Sequence, residues 1–213
     1  MTQYPSPQLP RARGGENSAP SSHARCTWAE SGDAAMLAYH DREWGVPHHD
    51  DRALFELLTL EGAQAGLSWR TILARRDEYR RAYHDFDIER VAKMRDAQLE
   101  KLLLTSGIIR NRLKVFSVRD NARIAREVMA EHGSLDAYLW SFIGGKPIVN
   151  KWRQAGQVPA TTEVSDRMSK ALRKRGFRFV GSTICYAFMQ ATGMVNDHLV
   201  GCFRYEESRH AEH

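Results

Sequence analysis

The sequence predicts an all-α fold, with helices packed into one or two bundled lobes. Three observations predict it. Apolar residues recur at i, i+3, i+4 spacing in successive stretches, and Asp or Ser precedes many of them as a candidate cap. No stretch sustains the period-2 alternation of a half-buried strand. The chain of 213 residues, 42% apolar and 27% charged, has the composition of a soluble domain, or at most two small ones. Three cysteines exclude a disulfide scaffold. The absence of any apolar run of about 18 residues excludes a spanning helix. The first 24 residues lack the apolar segment of a secretory signal, so a cytoplasmic location is expected. Lys and Arg number 31 against 26 Asp and Glu, a net charge of +5 that suits a polyanionic partner.

Residues 1–24 hold four of the seven prolines, two adjacent glycines and almost no aliphatic side chain, and are expected to form a disordered extension. Folding should begin near Arg25-Cys26-Thr27-Trp28. Asp50 to Leu60 carries Leu54, Phe55, Leu57 and Leu58 on a helical face. Asp87 is a candidate N-cap for Ile88, Val91 and Ala92. Asp96 is a candidate cap for Leu99, Leu102 and Leu103, with a stop at Gly107. Ser134 should cap Leu135, Tyr138, Leu139 and Phe142. Ser165 should open a helix with Met168, Ala171 and Leu172, ending in Arg173-Lys174-Arg175 before Gly176. After a tight turn, Ser182 to Met189 is apolar nearly all round and should be buried.

The last two helices form a candidate anion site. A tight turn with glycine at each end aims backbone N–H groups at a ligand, and on DNA that ligand is a phosphate. Six of the twelve residues from Arg167 to Arg178 are basic, which adds a counterion-release contribution. A plain αα-hairpin with a solvated basic face has the same pattern.

His198 and Cys202 stand at i, i+4, so on a helix they share a face suited to one metal. Cys26 and His40 can complete a closed Cys2His2 set, the donor set of structural zinc. The alternatives are a core histidine and buried apolar thiols.

The run Leu57 to Trp69 places one carboxylate, Glu61, in an apolar stretch with Gly62, Ala63, Ala65 and Gly66. These small residues leave room for a ligand near the backbone. Trp28, Tyr39, Trp44 and Trp69 lie in the same part of the sequence. One carboxylate among aromatic faces suits a flat cationic ligand. The alternative is that Glu61 pairs with an arginine and the aromatics are core.

Several stretches together resemble the DNA-3-methyladenine glycosylase I family of the helix-hairpin-helix DNA glycosylase superfamily. They are Arg25-Cys26-x-Trp28, Tyr39-His40-Asp41-x-Glu43-Trp44-Gly45-Val46-Pro47, Leu60-Glu61-Gly62-x-Gln64-Ala65-Gly66-Leu67-Ser68-Trp69, Gly107 to Arg112, Arg175-Gly176-Phe177-x-Phe179-Val180-Gly181-x-Thr183-Ile184-Cys185-Tyr186 and Val195-Asn196-Asp197-His198. The resemblance implies a glycosylase domain over residues 25–205, followed by a tail over 206–213. It implies a helix-hairpin-helix bundle whose ends are tied by one structural Zn2+ on Cys26, His40, His198 and Cys202. It implies monofunctional excision of 3-methyladenine from alkylated double-stranded DNA by a monomer. Glu61 would read the base, among Trp28, Tyr39, Trp44 and Trp69. Arg173, Lys174, Arg178, Gly181, Ser182 and Thr183 would contact phosphate.

Many superfamily relatives place a catalytic aspartate where Asn196 stands here. Bifunctional relatives place a lysine near Ser182-Thr183. Neither residue is present, so no imine and no strand cleavage are expected. Asp197 reads as an N-cap for a helix carrying His198. Two rival functions remain: a non-catalytic helix-hairpin-helix module with a structural zinc, and a zinc hydrolase, which needs an open coordination position.

Overall fold

Helix α3 (Asp51–Gln64) is the axis of the molecule. In this computed structural model, which describes residues 24–30 and 32–210, ten consecutive α3 residues from Leu54 to Ala63 are buried. A helix apolar all round must be covered on every side, and α3 is covered by α4 (Trp69–Leu73), α8 (Arg112–His132), α9 (Leu135–Trp140) and α11 (Ser182–Ala191). Its one mid-helix ion, Glu56, is paired with Arg76 and Arg80. The extension expected over residues 1–24 lies outside the described residues, apart from Ala24.

Local chemistry sets most helix starts. Asp33 accepts from the N–H groups of Ala35 and Met36 at the start of α2 (Ala34–Arg42), which follows the single turn α1 (Thr27–Glu30). Asp50 caps α3 through Ala53 N–H at 2.8 Å. Ser68 caps α4, and Asp87 caps α6 (Ile88–Ala92) after α5 (Arg76–Ala82). Asn111 caps the 21-residue α8, and Ser134 caps α9.

Two predicted caps are shifted. Asp96 is the first helical residue of α7 (Asp96–Thr105), and the N-cap is Arg95, whose N–H donates to Gln98. Helix α10 (Glu163–Lys174) begins at its cap Thr162, three residues before Ser165; these two exchange side chain to backbone bonds in a capping box. The predicted stop holds: Arg175 is the C-cap and Gly176 adopts φ +97°.

Residues Ile148–Val149 and Val195–Asn196 form a two-residue parallel bridge, a minor departure from an all-helical chain. Helix α12 (Phe203–His210) runs past Tyr205, where the predicted domain ends. No helix among the described residues is long and apolar enough to cross a membrane.

Candidate active site

A cavity of about 350 Å³ opens beside the C-terminal half of α3. Trp28, Tyr39, Trp44, Glu61 and Trp69, spread over 42 positions of sequence, all line it. Their elements explain the convergence. Glu61 sits in the penultimate turn of α3. The helix then ends at Gln64, because the chain turns at Gly66 with φ +78° and restarts at the Ser68 cap. Trp69 is therefore on a separate helix from Glu61. Tyr39 and Trp69 lie 5.2 Å apart between ring centroids, and Trp28 meets Trp44 edge-on at 5.1 Å.

Three buried polar atoms there have no hydrogen-bond partner among the described residues: Glu61 Oε2, Tyr39 OH and Trp69 Nε1. Buried polar groups are nearly always satisfied, so this set is poised for a ligand that brings both donors and acceptors. Glu61 pairs with no arginine among the described residues; Arg76 is taken by Glu43 and Glu56. Burial pushes the Glu61 carboxyl up to about 8. Burial and the nearby Glu61 also push the Tyr39 hydroxyl well above its ordinary value. Burial thus favours the protonated form of this carboxyl, and an entering cation favours its ionised form.

Gly62 does not clear space for a ligand, as its position in the small-residue run suggested. An added Cβ there would meet Phe179 of the hairpin turn at 3.1 Å.

Asp197 lines the same cavity and is not an N-cap. His198 and Cys202 stand in an irregular turn before α12, and their approach comes from that turn rather than from helical i, i+4 spacing. The Asp197 carboxylate accepts four bonds: Asn150 Nδ2 and Trp152 Nε1 at 2.7 Å, Tyr186 OH at 2.6 Å and Gln190 Nε2 at 2.8 Å. Sequence reasoning missed Asn150, Trp152 and Gln190, whose only signal is a meeting across the fold. Asn196 braces the turn, accepting from His198 N–H and donating to the Tyr205 carbonyl.

Behind the pocket, Cys26, His40, His198 and Cys202 are all buried, and their four donor atoms lie within 4.8 Å of one another. Cys202 Sγ is 3.5 Å from His40 Nε2 and 3.6 Å from His198 Nδ1, and Cys26 Sγ is 3.6 Å from that same nitrogen. Tetrahedral zinc with bonds of about 2.0–2.3 Å sets its ligands roughly 3.3–3.8 Å apart, so the cluster can hold such an ion. The outer ring nitrogens are engaged as in metal sites. His40 Nδ1 meets Asp41 at 2.8 Å, Asp41 is bound by Arg25, and His198 Nε2 donates to the Trp44 carbonyl at 3.1 Å. Gly45, at φ +76°, is required here, since a Cβ would stand 2.9 Å from that nitrogen. Pocket and cluster share a wall. Trp44 packs edge-on against His198 at 4.6 Å, Tyr39 precedes His40, and Cys26 itself borders the cavity.

The hairpin turn stands off the cavity: none of the residues named for phosphate contact borders it, although Ala187 and Gln190 further along α11 do. Arg173, Lys174, Arg178 and Thr183 are exposed. Gly181 is the N-cap of α11 and offers no side chain to its first N–H groups. The Ser182 hydroxyl is engaged by Asp166 and Ser165.

A model of the methyladenine glycosylase family matches residues 28–205. The DNA-3-methyladenine glycosylase 1 of Escherichia coli K12 is 48% identical over 181 residues, 85% of this chain and 96% of that protein. The DNA-3-methyladenine glycosylase of Haemophilus influenzae Rd is 47% identical over 84% of this chain and 96% of its own. The structure of 3-methyladenine DNA glycosylase I from Staphylococcus aureus, solved for the basis of 3-methyladenine recognition, superposes with a TM-score of 0.81 at 34% identity, covering 84% of this chain and 95% of that one. Sequence match, fold and pocket agree: this chain belongs to the methyladenine glycosylase family.

Proposed function

We propose that this protein excises 3-methyladenine from alkylated double-stranded DNA by hydrolysing the N-glycosidic bond. The observation that carries this reading is the set of three unsatisfied buried polar atoms in an aromatic cavity. A methylated adenine flipped from the duplex is flat and cationic, and a flipped base is read by its edge and its faces. Glu61 accepts from the base edge, and its ionisation offsets the base charge. Tyr39 and Trp69 offer ring faces, a hydroxyl and an indole N–H, and Trp28 and Trp44 wall the pocket.

The cationic base departs without prior protonation. As the bond from C1′ breaks, its electron pair neutralises the base. Water adds to C1′ and loses a proton. The pocket contributes extraction, orientation and charge complementarity. With serine and threonine at positions 182 and 183, the hairpin has no amine there to form an imine with C1′.

In this reading Cys26, His40, His198 and Cys202 hold one structural Zn2+, and four protein ligands leave it no open position. The ion ties the start of the folded chain to its end and fixes the aromatic wall. Arg173, Lys174 and Arg178, with the α11 N-terminus from Gly181 to Thr183, grip phosphates. The protein acts as a monomer in the cytoplasm.

The test is incubation with methylated duplex DNA and identification of the released bases. Release of 3-methyladenine supports the enzyme; undiminished DNA binding with no released base favours the non-catalytic module.

A further inference from the structure

The hairpin turn is distant from Glu61 in sequence and does not line the cavity, which α11 reaches only further along at Ala187 and Gln190, yet the turn itself makes a close contact with the helix carrying Glu61. Gly62 follows Glu61 in α3 and is buried against Phe179, whose Cβ and carbonyl oxygen would both lie 3.1 Å from a Cβ at position 62. Backbone rests on backbone there, with no flexible side chain between to absorb a shift.

Phe179 itself adopts φ +56°. A bulky residue in the left-handed region is strained and persists only when its surroundings fix it. Both neighbours are fixed. Asn121 of α8, 5% exposed, accepts from Arg178 N–H at 2.9 Å and donates to the Arg178 carbonyl at 3.0 Å. The Ser169 hydroxyl donates to the Val180 carbonyl at 2.7 Å. Helix α8 also reaches the C-terminal end of α3, just past Glu61 and Gly62, where Lys114 Nζ donates to the carbonyls of Ala63 and Ala65 at 2.8 and 2.6 Å. Neither Gly62 nor Asn121 borders the base cavity.

We propose that Gly62 and Asn121 are positioning residues that seat the hairpin turn on the helix carrying Glu61, so that a duplex gripped at the hairpin delivers its flipped nucleotide to the cavity in one register. This rests on reading the cavity as the lesion pocket. A base entering free in solution needs no register with the hairpin. A base attached to gripped DNA does, because phosphate contacts set the position of the strand.

The variants are Gly62→Ala, which wedges the contact apart, and Asn121→Ala, which unclamps the turn. Asn121→Ser is a milder third variant should either of these fail to fold. Three quantities are measured for each folded variant: single-turnover release of 3-methyladenine from methylated duplex, affinity for free 3-methyladenine, and affinity for undamaged duplex. The single-turnover rate should fall by about tenfold to a hundredfold, the scale of a small misplacement of reacting groups. Both affinities should stay within about threefold of the wild type, less than 1 kcal/mol. A parallel loss of free-base affinity would make Gly62 and Asn121 mere supports of the pocket and overturn the proposal. A parallel loss of duplex affinity would show a collapsed hairpin and overturn it as well. Wild-type release rates in every folded variant would overturn it while leaving the excision reading intact. A wild type that releases no 3-methyladenine would overturn both.

Discussion

In the proposed reading, selectivity comes from one residue type in one environment, the buried Glu61 carboxyl. A neutral base entering the pocket meets a carboxyl that keeps its proton; a cationic base draws the proton off and gains a charge partner. The same shift predicts a stability effect with a definite sign. The folded carboxyl stays protonated up to about pH 8, while an unfolded one ionises near 4.5. The fold therefore binds the extra proton, and the stabilisation present below pH 4.5 is lost as pH rises through about 8. Glu61→Gln cannot titrate. Its melting temperature should fall less than the wild type's between about pH 5 and 9 and should exceed it at the upper end. Parallel melting curves across that range would refute the buried, unpaired carboxyl. Trp69→Ala removes a ring face at the cavity, and stacking of this kind is worth about 1–3 kcal/mol per base. Free 3-methyladenine should bind roughly tenfold to a hundredfold more weakly by calorimetry, with undamaged-duplex affinity unchanged.

At the scale of elements, the helices divide by how far their signals reach. Asp87 and Ser134 are legible as caps because a cap bonds an N–H three residues on. Thr162 competed with Ser165 inside one capping box, and sequence pattern alone gave the start to the wrong partner. The break of α3 after Gln64 was not legible as a break. Its causes are the φ of Gly66 and the ammonium of Lys114, which comes from 49 and 51 residues away to the last carbonyls. Lys114→Met should uncap α3 and lower stability by about 1–2 kcal/mol in chemical denaturation, since two charge-assisted bonds to a helix C-terminus are lost. The hairpin carries a separate prediction. Neutralising Arg173, Lys174 and Arg178 together should weaken binding to damaged and undamaged duplex alike and lower the salt slope by about 2 to 3. Loss confined to damaged DNA would mean that the hairpin reads the lesion.

Across the whole molecule, the chain is closed on itself at the Cys26, His40, His198 and Cys202 cluster, whose members span 162 and 172 residues. Residue types and the family resemblance made this set legible, although its geometry departs from the expected helix. Asp197 was illegible for the opposite reason: two of its four donors come from 45 and 47 residues away, and nothing near it in sequence announces them. If the cluster holds zinc, one equivalent should be found per chain by elemental analysis. A strong chelator should then lower the melting temperature, and Cys26→Ser should destabilise the fold more than it changes base selectivity. A metal-free wild type that folds and melts like the purified protein would contradict the tie.

In the proposed function the cavity around Glu61, Tyr39 and Trp69 takes the lesion. The most direct test is chromatographic identification of the bases released from methylated duplex DNA by wild type, Glu61→Gln and Trp69→Ala, each with its circular dichroism and metal content recorded. The expected result is 3-methyladenine from the wild type and a rate reduced by about tenfold or more in both variants, with fold and metal unchanged. Wild-type release rates from both folded variants would contradict it and return Glu61 and Trp69 to the core.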